Sequence, residues 1–238
     1  MCVYGHDAGT REARMAAEKL VRAGYRRVSE LREGVAGWES AGFAVEGTLA
    51  VAPSRGPVLN GKREADLTES RVRWIGRNLL NSHWGTIGLK SGFLTFEAGR
   101  LSGGEFVLDM NAIECSDLRG DRLHDVLIAH LISHDFFDTE IYPEARFQLI
   151  SAIPVAEATV GSPDLRISGE LTLKGQTRPI EFDGVSGIDT EGRFGAQAVL
   201  SFDRTLWHVL YGSGKFFRNL GGHLVNDAIE VQVRLVTR

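Results

Sequence analysis

The chain has 238 residues, 43% of them hydrophobic and 24% charged, with a formal net charge of −4. That length suits one large domain, or one domain with a smaller companion, and the apolar content is enough for a sizeable core. Lys and Arg are scattered among acids, so no basic stripe is present to offset nucleic-acid phosphates, and no run of about 18 apolar residues is present to span a membrane.

Residues 1–47 read as strand, helix, strand, helix, the order of a parallel α/β unit. Cys2-Val3-Tyr4 is a short strand-type run. Thr10 is placed to N-cap a helix in which Ala13, Ala16, Ala17, Leu20 and Val21 recur at helical spacing, and Gly24 is its expected C′ residue. Arg27–Leu31 is a second strand candidate, and a last short helix through Trp38 closes at Gly42. The two cysteines, Cys2 and Cys115, form no Cys-x-x-Cys pair, and no histidine lies beside them in sequence at metal-ligand spacing, so each is expected to be a free thiol. The N-terminus has no basic region followed by an apolar run and a cleavage site. The chain as written is therefore expected to carry no signal peptide and to be cytoplasmic.

Residues 48–66, with Pro53, Ser54, Gly56, Pro57 and Gly61, read as a linker. From Leu67 onward the period becomes two. Val72 and Trp74 alternate with Arg71 and Arg73, a run with Ile87 and Leu89 follows, and Gly92 introduces Leu94 and Phe96. Gly103-Gly104 reads as a turn before Phe106, Leu108 and Met110. Between Leu118 and Leu131 the period shifts to 3.6, with Leu123, Val126, Leu127, His130 and Leu131 forming one stripe of a covering helix that ends at Ser133. The stretch Leu131–Phe147 then packs Phe136 and Phe137 between Asp135 and Asp138 and turns a corner at Tyr142-Pro143. Alternation resumes with Phe147 and Leu149. Leu171 and Leu173 precede a connection over 174–179, and Ile180 and Phe182 follow it. Leu200 and Phe202 belong to a further strand, and Ile229, Val231, Val233 and Leu235 to the last. About eight antiparallel strands with one helix predict a mainly β protein, an eight-stranded antiparallel barrel.

Two resemblances rest on these residues. Val3-Tyr4, Ala16-Ala17, Leu20, Gly24-Tyr25, Val28, Leu31, Gly34-Val35, Trp38 and Ala41-Gly42-Phe43 resemble the C-terminal half of a rhodanese domain. That family carries its nucleophilic cysteine after the Val-Tyr pair, where this chain has Gly5. The resemblance therefore implies a catalytically inactive half-domain, with Cys2 a small buried residue on the strand. Residues 67–238 resemble the YceI family of polyisoprenoid-binding, lipocalin-like proteins. The matching pieces are Trp74-Ile75-Gly76, His83, Gly92-Phe93, Gly104 to Met110, Leu131 to Phe147, Gly169 to Thr177, Asp203-Arg204-Thr205 and Trp207.

This second resemblance implies a barrel that encloses an isoprenoid, a polyprenyl or quinone-type chain, and carries it without chemistry of its own. Periodicity alone would make the inward faces an ordinary packed core. The resemblance turns Trp74, Leu94, Phe96, Phe106, Leu108, Met110, Phe136, Phe137, Phe147, Leu149, Leu171, Leu173, Leu200 and Phe202 into the expected cavity lining, with at least one of Phe136 and Phe137 facing inward. Family members are often exported, which the N-terminus does not support. The rival readings are a sulfurtransferase-related activity or regulation through residues 1–47, and a protein interaction module. The composition is compatible with a homodimer.

No catalytic residue, no resident cofactor and no metal site is expected. His130 and His134 lack a third ligand, and His83 reads as a hydrogen-bonded structural residue. Asp135 and Asp138 have no nucleophile at defined spacing and read as corner caps. Asp203-Arg204 reads as a local ion pair or turn, and Gly212-Ser213-Gly214-Lys215 lacks the upstream glycine of a phosphate loop.

Overall fold

The computed structural model describes residues 2–5, 12–44, 58–156, 158, 161–220 and 224–238. The chain forms two compact units, Met1–Arg55 and Gly56–Arg238.

In the first unit, strands β1 (Cys2–Tyr4) and β2 (Ser29–Leu31) pair in parallel, with Val3 opposite Glu30. Helix α1 (Glu12–Arg22) connects them and α2 (Gly34–Ser40) follows, so the strand–helix–strand–helix order is as read from the pattern. Both helices end in the same way. Gly24 and Gly42 take left-handed backbone, and the Tyr25 and Phe43 amides donate back to the carbonyls of Leu20 and Trp38. This arrangement satisfies last-turn carbonyls that would otherwise lack partners. The expected cap Thr10 lies outside the described residues. Cys2 is exposed rather than buried, on a strand whose one sheet partner among the described residues is β2.

The second unit is a closed antiparallel barrel. Its eight positions are β4 (Arg71–Arg77), β5 (Ser82–Glu97), β6 (Arg100–Cys115), β7 (Glu144–Pro154), β8 (Leu165–Leu173), β9 (Gln176–Ile188), β10 (Phe194–Asp203) and β11 (Ala228–Val236), each paired with the next, and β11 with β4. A short strand, β3 (Gly61–Glu64), pairs with the far half of β5, and Ala65 bridges to Thr237, so β3 and β4 share one barrel position. Closure leaves no long unpaired edge. Residues 58–66 are thus part of the barrel, not linker: Leu59 and Ala65 are 4% exposed. The rest of the expected linker, 48–57, lies outside the described residues.

Three connections differ from the sequence reading, each through a glycine. Gly92 sits inside β5, and a Cβ there would lie 2.4 Å from the Phe106 ring. Gly104 lies inside β6 and lets the Phe93 carbonyl approach to 2.6 Å of the missing Cβ. The turn between these strands is Ala98-Gly99, both at positive φ. The β8–β9 turn is Lys174-Gly175 alone, φ 47° and 71°, with Leu173 opposite Gln176. Two consecutive positive φ values match the twist of a tight hairpin.

The covering helix α3 (Leu123–Ile132) lies between β6 and β7 and caps one end of the barrel. It begins later than the periodicity predicts. Leu123 and Val126 are exposed, while Leu127, Ile128, Leu131 and Ile132 carry the buried side. The same end holds a 3-10 turn, Arg204–Trp207, whose Trp207 is 1% exposed and donates from Nε1 to the Leu171 carbonyl at 2.8 Å. The far end is plugged by Leu59, Ala65, Leu94, Phe96, Leu149, Ile167, Phe194 and Leu235, with the Phe96 and Phe194 rings edge to face at 5.1 Å.

Candidate functional site

Between the capped end and the plugged end lies a cavity of about 450 Å3. That falls in the range of small-molecule sites, roughly 300–1,000 Å3. Side-chain alternation on the strands builds it. β4 contributes Trp74, β5 Leu94, and β6 Phe106, Leu108 and Met110. Phe147 and Leu149 come from β7, Leu171 and Leu173 from β8, and Leu200 and Phe202 from β10. Phe96 departs from the expected lining. It packs in the far-end plug, beyond the cavity floor, and is 3% exposed. Alternation sets its face correctly but does not report its depth along the barrel axis.

Phe136 and Phe137 both line the cavity, at its capped end. Their rings meet edge to face at 5.0 Å, and Phe136 also meets His130 at 5.6 Å and Tyr211 at 6.3 Å. The corner that carries them is tied down by backbone hydrogen bonds. The Phe137 amide donates to Leu131, the Asp138 amide to Ser133, and the Thr139 amide to Ile132. Asp138 adopts φ 52°, so its part in the corner is backbone conformation. Asp135 lies 3.2 Å from exposed His134. From the β8–β9 turn, Lys174 Nζ donates to the carbonyls of His134 and Phe136. Burial pushes this ammonium below its ordinary pKa. A Cβ on Gly175 would lie 2.6 Å from the Tyr142 ring, so Tyr142 seats the corner directly on that hairpin. Burial likewise lowers the His130 pKa, opposed by Asp135, which favours the neutral imidazole at the cavity border.

Polar lining gathers at the capped end: Arg77, Asn78, His83, His130, Tyr211 and Asn226, with Arg204 beneath. Arg204 is 3% exposed. It donates from Nη1 to Val209, from Nε to Asn226 and from Nη2 to Val225, and lies 3.8 Å from Asp227 and over the Phe136 ring. Asp203 accepts from Thr205 and pairs with Lys215 instead. Asp203-Arg204 is thus a turn, as read, but not a mutual ion pair. Lys215 is a surface partner of Asp203 and Asp227. Nearer the plug, Ser70 is engaged by the Val236 backbone and Arg234 lies 3.6 Å from Glu69.

Residues 64–237 match the family model of the YceI-like domain. The chain belongs to the YceI-like family. A curated relative, the UPF0312 protein of Shewanella denitrificans, is 31% identical over 91 residues, which are 37% of this chain and 41% of that protein. The chain thus spans well under half the length of that relative. BcnA of Burkholderia cenocepacia superposes with TM-score 0.56 at 18% identity, over 73% of this chain and 99% of the other. A structure described as a polyisoprenoid binding domain from Saccharophagus degradans superposes with TM-score 0.57 at 17% identity, over 74% and 97%. At these identities the likeness is one of fold.

In this YceI-like barrel, part of the lining escaped the sequence reading. Ile229, Val231, Val233 and Leu235 line the cavity along β11, and their clean alternation was the available signal. His130 and Leu131 line it from α3, and Tyr211, Val225 and Asn226 from the segment after the 3-10 turn, where no periodicity marks an inward face. The structure also brings His83 beside Cys115 and Asp117, from which sequence separation keeps it apart. His83 Nδ1 lies 2.8 Å from Asp117 Oδ2, and Cys115 donates from Sγ to Asp117 Oδ1 at 3.3 Å. Burial, then the Asp117 contact, pushes the Cys115 thiol up to about 11. For Asp117 burial acts to raise the pKa, but the Trp84 amide, His83 and Cys115 outweigh it and hold the carboxyl below its ordinary value. Among the described residues no helix is long and apolar enough to cross a membrane.

Proposed function

We propose that the barrel binds and carries one apolar isoprenoid chain, with the chain in the cavity and its polar head at the capped end. The observation that carries this reading is the cavity itself. It is closed around by eight strands, its walls are almost wholly apolar, and most of its polar side chains gather where α3 and the 3-10 turn cover the barrel. Membership of the YceI-like family supports it, as does the description of the Saccharophagus degradans neighbour as a polyisoprenoid binding domain. An isoprene chain offers little but apolar surface, and each buried methylene-sized group contributes about 0.8 kcal/mol, offset in part by the ordering of the chain.

The head group we favour is uncharged, a quinone or alcohol rather than a phosphate. The Arg204 donors are engaged by three carbonyls and Arg77 is paired with Glu230, so the cations of the lining are already committed. Tyr211, the Asn78 amide nitrogen, whose Oδ1 is taken by the Leu80 and Asn81 amides, and His130 remain as hydrogen-bonding groups suited to a carbonyl or hydroxyl. The test is quenching of tryptophan emission by a prenylquinone against a polyprenyl phosphate of equal chain length. Saturable quenching by the quinone at the lower concentration is expected, and it is expected to weaken in Leu171→Glu. Equal response of that variant, or preference for the phosphate, contradicts the reading. Residues 1–47 are read as an inactive rhodanese-like half on the strength of Gly5. Thiosulfate:cyanide activity that disappears in Cys2→Ser would overturn that.

A further inference from the structure

His83, Cys115 and Asp117 come from two strand ends that the barrel register makes neighbours. Gly85 of β5 pairs with Cys115 of β6, and the Ser116 amide donates to the Trp84 carbonyl, which continues the ladder toward His83 and Asp117. Residues two apart on a strand share a face, so His83 lies on the face of Gly85, while Asp117 follows two residues beyond the end of β6. Glycine at 85 is what permits this closeness, since a Cβ there would lie 1.6 Å from the Glu114 carbonyl oxygen. One donor atom from each of the three side chains can be chosen so that all lie within 4.8 Å of one another. Cys115 is fully buried, while the side chains of His83 and Asp117 retain 34% and 22% of their exposure. The spot therefore has a buried sulfur at its base and a path from solvent past the imidazole and carboxylate.

We propose that His83, Cys115 and Asp117 form a three-donor site for a borderline-soft divalent cation, with Zn2+ as its representative. Imidazole, thiolate and carboxylate are the donors such an ion takes, and three protein donors leave a fourth position for water or a polar group. The metal-free contacts already resemble the loaded ones. Two polar groups, the thiol and the imidazole, converge on the two oxygens of one carboxylate, and the cation takes the place that the thiol proton holds. On binding, the Cys115 S–H bond breaks and its proton goes to solvent. His83 Nδ1, which donates to Asp117 without the ion, must also give up its proton, which passes through solvent to Nε2, so that His83 coordinates through Nδ1 as the neutral imidazole. The thiolate and the Asp117 carboxylate together balance the dipositive ion, which suits a half-buried position. The Trp84 amide stays on Asp117 Oδ1 and orients it, as an outer partner of a metal ligand does. His83 also lines the cavity, so the open position lies beside the lipid site, but the proposal does not depend on what that site holds.

The test is titration of the chelator-stripped full chain with Co2+, followed by Zn2+. Stoichiometric Co2+ binding with a thiolate-to-cobalt charge-transfer band in the near ultraviolet, displaced by Zn2+, is expected. Cys2→Ser should keep the band, because the thiolate is Cys115. Cys115→Ser should abolish it. Because replacing a buried thiol can disturb the barrel end, His83→Gln serves as a second variant. It should bind Zn2+ about 10-fold or more weakly with an unchanged circular dichroism spectrum. A cobalt spectrum without the thiolate band, a band lost in Cys2→Ser, or equal Zn2+ binding in His83→Gln overturns the assignment.

Discussion

At the residue scale, the capped end depends on a few side chains that meet around Phe136. That ring is 8% exposed and touches Phe137, His130, Tyr211 and the Arg204 guanidinium. Truncating a buried Phe to Ala costs about 3–5 kcal/mol, the loss growing with the cavity left behind. Phe136→Ala is expected in that range by chemical denaturation, with Phe137→Ala, which is less buried, costing less. His130 gives the same end a pH dependence. Its folded pKa is lowered by burial from an ordinary 6.5, so the folded state resists its protonation. The stability it contributes is complete above that value and is lost as pH falls below 6.5 through the folded pKa. In His130→Phe the melting temperature should fall less steeply between pH 7 and pH 5 than in the parent, as thermal scans can show. His124, whose pKa is raised by its contact with Asp125, acts in the opposite sense in both proteins and cancels in that comparison.

At the element scale, the Lys174-Gly175 turn joins the barrel to the Phe136-Phe137 corner. Gly175 must accept positive φ and must also leave room for Tyr142. Gly120 has a similar φ, 82°, with nothing within 4 Å of a Cβ. Gly120→Ala is therefore expected to cost about 1 kcal/mol from backbone strain alone. Gly175→Ala should cost about twice that or more, because Tyr142 must also move. Equal losses in the two variants, measured by denaturant unfolding, would mean that Tyr142 does not hold the corner. These two glycines also show where sequence reading succeeds and fails. Alternation of Trp74, Phe106, Leu108, Met110, Phe147 and Leu149 predicts inward faces, because the pleat has period two and the barrel has one dry side. Glycine breaks in that alternation were ambiguous. Gly92 and Gly104 carry turn chemistry in sequence, yet in space they let strands and rings approach inside β5 and β6. Their reason is a neighbour on the paired strand, Phe106 for Gly92 and Phe93 for Gly104, which local pattern does not contain. The His83–Cys115–Asp117 cluster was hidden for the same reason, since only the β5–β6 register joins it.

At the scale of the whole molecule, the two compact units and the place of β3 make a prediction about boundaries. A chain beginning at Val58 keeps Leu59, β3 and Ala65, and is expected to unfold cooperatively with a melting temperature close to that of the full barrel. A chain beginning at Leu67 strips one half of β5 of its partner and removes Leu59 and Ala65 from the far-end plug. Its melting temperature should fall by more than about 5 °C. Barrel closure was legible because eight alternating runs separated by turn residues have few other ways to bury one face. That the interior is a cavity and not a filled core was not legible from periodicity, because both place the same residues inward. Both belong to the far-end plug, and only the depth of each side chain along the axis separates Phe96, away from the cavity, from Leu94, which also reaches the cavity wall. The central claim is that this interior holds an isoprenoid chain. The most direct measurement is organic extraction of the purified full chain followed by mass spectrometry. An isoprenoid-bearing molecule with an uncharged head, recovered in near-stoichiometric amount, is predicted. A reproducibly empty barrel that takes up no prenyl compound when one is supplied would contradict the account.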